Sequence, residues 1–113
     1  MELEPFVRAE WGPLPYEGCR NVEGKVLLVR AGLVLALLRF GEHATIHEHP
    51  APFPIDVFCL EGNGNVSLGG ETSTIAAGQH VRWTPDLPHR LWTDASTMIT
   101  LMVEHPPVRH REA

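Results

Sequence analysis

The sequence predicts an all-β protein, a sandwich or barrel, and three observations carry that prediction. Apolar residues fall in short runs rich in β-branched side chains, each closed by turn residues. Ten glycines and ten prolines are spread along the chain rather than gathered into one linker. No stretch sustains a helical period long enough to compete. Residues 31–38 are the ambiguous case because Ala and Leu favour helix, but Gly32 and Gly41 bracket them and they read as strand.

In chain order the predicted strands are 26–30, 32–40, 57–60, 65–68, 72–75, 80–83, 90–93 and 98–103. Gly69-Gly70 fits a two-residue hairpin, since primed turns need positive φ and glycine adopts it without steric cost. Glu61-Gly62-Asn63-Gly64 is read as closing one strand and opening the next, and Ala76-Ala77-Gly78 as ending another. Residues 50–54, Pro-Ala-Pro-Phe-Pro, cannot lie mid-strand and form a stiff loop. The stretch before Gly24 reads as irregular, and the tail from His105 through His110 as a solvated end. There is no internal repeat, so one domain is expected over residues 1–113, with its core at about 24–104.

Composition narrows the function. A chain of 113 residues can bury a modest core, and an apolar share of 43% is ordinary for a globular protein. A net charge of −5 with no basic cluster argues against a phosphate-driven nucleic-acid binder. The start, MELEPFVRAEW, has early acids and no apolar signal region, and the run 31–38 stops at Arg39, too short to span a bilayer. A cytoplasmic protein with no nucleic-acid or membrane partner is the expectation. Cys19 and Cys59 form no CxxC pair, and Cys59 in VFCL reads as a buried inert thiol. Nucleophile elbow, P-loop and dinucleotide fingerprint are all missing from the sequence.

Seven histidines are many for this length, and their placement matters more than their number. In Ile46-His47-Glu48-His49 the two imidazoles stand two apart, so on a strand they share one face and Glu48 takes the other. Imidazoles held on one rigid face are a start towards a chelate for zinc, iron, nickel or copper; HxH pairs also arise on solvated strands.

The wider pattern resembles the cupin superfamily. Gly41 followed by five residues and His47-Glu48-His49 matches the family's first motif, and Phe58-Cys59-Leu60-Glu61-Gly62 is similar to its Leu-Glu-Gly strand. Gly78 through Pro85, then Pro88-His89, is similar to the second motif. The resemblance covers about residues 24–104 and implies a double-stranded β-helix, the cupin jelly-roll barrel. It also implies one divalent metal ion, Fe, Zn, Mn or Ni, held by His47, His49 and His89, with His89 sharing the parity of Leu91. Cupins of this size are commonly dimers, and a homodimer is implied here.

Two positions depart from the family. Its glutamate ligand belongs seven residues before Gly62, where Ile55 stands. Asp56, one step on, faces the other side of an ideal strand unless the proline-rich loop brings it round. Thr84 and Asp86 replace the usual proline and glycine. Three neutral imidazoles leave the charge of a dication uncompensated, which acidifies bound water and attracts anions, while a missing carboxylate weighs against the usual facial triad of iron oxygenases. Two functions stay open: a metal-dependent, dioxygenase- or isomerase-like enzyme acting on a small organic molecule in the barrel, or a non-catalytic module that captures a small ligand or a metal.

Other residues have plainer readings. His43 and His80 read as surface histidines, Trp83 and Trp92 as barrel wall, and Met98 and Met102 as core. Glu48 and Glu61 read as solvated, and Arg90 as one half of a surface salt bridge.

Overall fold

The computed structural model describes residues 1–108, so His110 lies outside the described residues. Eight strands make up the fold: β1 (Arg8–Pro13), β2 (Arg20–Arg30), β3 (Leu33–Thr45), β4 (Ile55–Leu68), β5 (Glu71–Ala76), β6 (His80–Trp83), β7 (His89–Trp92) and β8 (Met98–Glu104). The protein is all-β, as its punctuated apolar runs predict. Residues 31–38, the stretch with helical propensity, lie in the turn after β2 and in β3, where pairing with β2 and β8 overrides the local preference.

Two long strands build the barrel because each changes partners along its length. The first part of β3 pairs with β8 from Val34 to Phe40, and its last residue, Thr45, reaches β7. β4 pairs with β6 and β8 over its first half, then with β5 and β7 from Asn63 onward. One layer therefore runs β1-β2-β3-β8-β4-β6, and the other is made by the end of β3 with β7, the second half of β4 and β5. All these pairings are antiparallel.

Alternation places the core between the layers. Ile55, Val57 and Cys59 of β4 point inward, as do Met98, Thr100 and Met102 of β8 and His89 and Leu91 of β7. Val22, Leu38, Phe40, Val66, Ile75 and Trp83 complete the packing. Each such side chain contributes about 1.5–3 kcal/mol by leaving water.

Three expectations need correction. The N-terminal stretch is not irregular throughout, because β1 and the start of β2 pair with the barrel's edge. Glu61-Gly62-Asn63-Gly64 is no turn: β4 runs through it, and the register slips there between Cys59 and Glu61. Gly62 absorbs the slip at φ 74°, and a Cβ on it would sit 2.0 Å from the carbonyl oxygen of Thr97. His105 is not free in solvent, since its backbone N–H donates to Pro54 and its ring reaches Asp56. The Gly69-Gly70 hairpin stands as predicted, joining Leu68 to Glu71 with both glycines at positive φ.

Candidate metal centre

The His-Glu-His segment does not continue β3 as a straight strand. The N–H of Ile46 donates to Leu91 at 3.1 Å, and His49 then exchanges two backbone hydrogen bonds with His89. Two residues lie between Ile46 and His49 while one lies between His89 and Leu91, so one extra residue bulges from the edge. The bulge turns the two imidazoles onto each other, and the rings of His47 and His49 stack 3.9 Å apart, 10° from parallel. Sharing a strand face was the right expectation only for ideal geometry.

Hydrogen bonding fixes the tautomer of the neutral His49 ring. Its Nδ1 lies 2.9 Å from the carbonyl oxygen of His47, which can only accept, so the proton sits on Nδ1 and Nε2 presents a bare lone pair. That lone pair faces Nε2 of His89 at 3.3 Å. His89 is 1% exposed and lies flat on Trp83, 3.9 Å between ring centroids and 5° from parallel. Burial, with smaller contributions from His49 and His47, lowers its pKa to about 4. His89 is therefore neutral at pH 7, and its Nδ1 is buried without a hydrogen-bond partner.

His47 has a different partner. Its Nδ1 is 3.2 Å from Sγ of Cys19, and its backbone N–H also points to that sulfur at 3.3 Å. The segment carrying Cys19 crosses close over His47: Gly18, at φ 91°, would place a Cβ 3.0 Å from the His47 Cβ. The ring of Tyr16 lies 5.2 Å from the same imidazole. Burial first, and then His49, lower the pKa of His47. Sequence reasoning missed Cys19, because its contact joins residues 28 apart through a bend that no local pattern announces.

The spacing of two of the three predicted ligands matches that of donors on one ion. Two nitrogens, each about 2.0–2.1 Å from one tetrahedral ion, lie roughly 3.3 Å apart. That is the separation of the His49 and His89 Nε2 atoms. In the neutral rings both Nε2 atoms are free to donate their lone pairs when His49 and His89 each carry the proton on Nδ1. His47 is beside them but turned to Cys19, and among the described residues no three His, Cys, Asp or Glu side chains form a ready chelate.

Asp56 faces away from this centre. It accepts hydrogen bonds at 2.7 Å from Nε2 of both His80 and His105, and at 3.2 Å from Arg82. Burial pushes its carboxyl pKa up, but the two histidines and Arg82 outweigh that and hold it below the ordinary value. The proline-rich loop does not bring it round, and Ile55 keeps the inward position. Glu104, half-buried at the end of β8, has its pKa raised by burial, with His49 acting in the opposite sense.

The remaining candidates fall into place. His43 is exposed at φ 50°, and Glu48 and Glu61 are exposed. His80 is on the surface but not idle, since it holds Asp56. Among the described residues Arg90 forms no salt bridge; it donates from Nε to the Thr45 hydroxyl at 2.8 Å and lies over Trp92. Beside His47 is an open hollow of about 320 Å³ lined by Gly18, Thr45, Ile46, His47, Glu48 and Arg90. A second, of about 420 Å³, lies near Gly41 and Gly62 and is lined by no histidine.

The fold has clear counterparts. The polyketide cyclase RemF from Streptomyces resistomycificus superposes with a TM-score of 0.82 at 19% identity, over 100% of this chain and 87% of that one. An RmlC-like cupin from Shewanella frigidimarina NCIMB 400 gives 0.77 at 17% identity, over 92% of each chain. The chain has the cupin fold. The DMSP lyase DddQ from Ruegeria pomeroyi DSS-3 is a further counterpart in fold, with a TM-score of 0.76 at 17% identity over 91% of this chain and 59% of that one. No protein-family model and no curated protein matches the sequence. Among the described residues no helix is long and apolar enough to cross a membrane.

Proposed function

We propose that this cupin is a metalloprotein that holds one divalent ion through His47, His49 and His89 and acts on a small organic molecule at the barrel mouth. The observation that carries the reading is the 3.3 Å approach of the His49 and His89 Nε2 atoms, both held from behind. Trp83 fixes the plane of His89, and the His47 carbonyl fixes the tautomer of His49. His47 completes the set by turning from Cys19. A bound ion of this kind supplies Lewis acidity and a water of lowered pKa. Arg90, lining the hollow beside His47, provides positive charge for an anionic substrate. Two fold counterparts, named as a polyketide cyclase and a DMSP lyase, support a small-molecule substrate.

The test is metal analysis of protein purified without chelator, together with His49→Ala and His89→Ala. One equivalent of iron, zinc, manganese or nickel in the parent, lost from both variants, supports the reading. A parent that stays metal-free after reconstitution overturns it. The proposal includes a homodimer, and a monomer by light scattering at micromolar concentration would remove that part.

A second reading, capture of a small ligand without turnover, draws on Ile55, an inert side chain at the carboxylate position. It predicts a ligand-dependent rise in Tm with no product formed.

A further inference from the structure

The carboxylate missing from β4 stands one strand away. Met98, Thr100 and Met102 of β8 are buried in alternation with Ile99, Leu101 and Val103, so the period of two assigns Glu104 to the inward row. Its cross-strand partner on β4 is Ile55, whose own partner on β6 is Trp83. Glu104, Ile55 and Trp83 thus form one inward row, with strands about 4.8 Å apart. Trp83 is the residue on which His89 stacks. Beyond Glu104 the chain is pinned by the His105 N–H donating to Pro54 at 3.1 Å. The acid nearest in sequence, Asp56, pairs with Val103 of β8 and shares its outward face, already engaged by His80, His105 and Arg82. Glu104 is absent from the ion pairs among the described residues.

We propose that Glu104 is the carboxylate of the histidine centre, supplied from β8 in place of the β4 position that Ile55 occupies, and that it binds the ion alongside His47, His49 and His89. This rests on the metal reading above. Ile55 and Glu104 are neighbours across the same pair of strands, so moving the acid from one to the other keeps it in the inward row at the same level of the barrel. One carboxylate cancels half the charge of a dication, and it adds a hard oxygen donor to the three imidazoles. The donor set then suits ferrous iron and manganese as well as zinc.

The experiment is titration of chelator-treated protein with Co(II), following the visible spectrum and competing with a chelator for the dissociation constant. Parent, Glu104→Gln, Glu104→Asp and Asp56→Asn are compared, with near-ultraviolet circular dichroism as the check on folding. The expected result is one equivalent bound by the parent and affinity at least tenfold weaker in Glu104→Gln, with displaced absorption bands. Glu104→Asp regains part of the affinity, and Asp56→Asn matches the parent. Parent-like affinity and spectrum in folded Glu104→Gln overturn the proposal while leaving the metal reading intact, and so does a loss confined to Asp56→Asn. A parent that binds no Co(II) removes the metal reading itself.

Discussion

The indole of Trp83 lies flat on the imidazole of His89, 5° from parallel with ring centroids 3.9 Å apart. Both side chains are 1% exposed, so the stack forms part of the core as well as the back wall of the histidine centre. Each also carries a buried nitrogen without a partner, Nε1 of Trp83 and Nδ1 of His89. The site therefore costs stability that a purely structural barrel would have kept.

Replacing Trp83 separates these effects. Trp83→Ala opens a core cavity and is expected to cost about 3–5 kcal/mol. Trp83→Phe keeps an aromatic face against His89 and removes the unpartnered N–H, so its cost should stay below about 1.5 kcal/mol. Urea unfolding of the two variants checks this, and equal losses would mean that the stack contributes nothing beyond volume.

The His89 pKa of about 4 sets a pH dependence for the metal-free protein. In the unfolded chain a histidine titrates near about 6.5. Between those values the unfolded chain binds a proton that the folded one refuses, so unfolding is favoured as pH falls. The contribution is full above about 6.5, declines through the window and levels off below about 4, a total on the order of 2–3 kcal/mol. His47, also lowered, acts in the same sense, and Glu104, raised, acts against it. Urea midpoints at several pH values should fall with acid in the parent and flatten in His89→Gln. An unchanged slope in that variant would assign the effect to other groups.

Gly62 and Gly70 make a matched pair. A Cβ at Gly62 meets the Thr97 carbonyl oxygen at 2.0 Å, whereas at Gly70 it meets nothing within 4 Å. Both have positive φ, so both alanine variants carry the conformational cost of about 1 kcal/mol. Gly62→Ala adds a backbone clash and is expected to lose at least about 2 kcal/mol more. Thermal unfolding of the two variants tests the difference.

Asp56 ties β6 and the segment after β8 to β4 through His80, Arg82 and His105. Asp56→Asn should cost about 1–2 kcal/mol at neutral pH and leave metal content unchanged. Because the carboxyl pKa is lowered, its contribution is present above the ordinary carboxylate value and is lost as pH falls through the folded one. The parent and variant should therefore converge in stability at acid pH. A difference that persists there would point to packing rather than charge.

Much of this barrel was legible because its strands obey simple alternation. The run 80–83 became β6 unchanged, and 98–103 became β8 with one residue added. The inward parity of His89 with Leu91 was readable for the same reason. What was hidden depends on contacts distant in sequence. Gly62 looks like a turn glycine until the Thr97 carbonyl is set against it. The bulge at 47–48 exists only because β7 offers one residue where the edge of β3 offers two. Cys19 and Glu104 sit far from both histidine motifs, and only the topology brings them near. Asp56 was correctly suspected of the wrong parity, but its three partners were not foreseeable from its neighbours.

β3 and β4 each belong to both layers, joining one set of partners at one end and a different set at the other. Neither layer can therefore be peeled from the other without breaking a strand that both share. The barrel should melt as one cooperative unit, and whatever grips His49 and His89 will slow the fraying of strands at the far end, by Gly62, that it never touches.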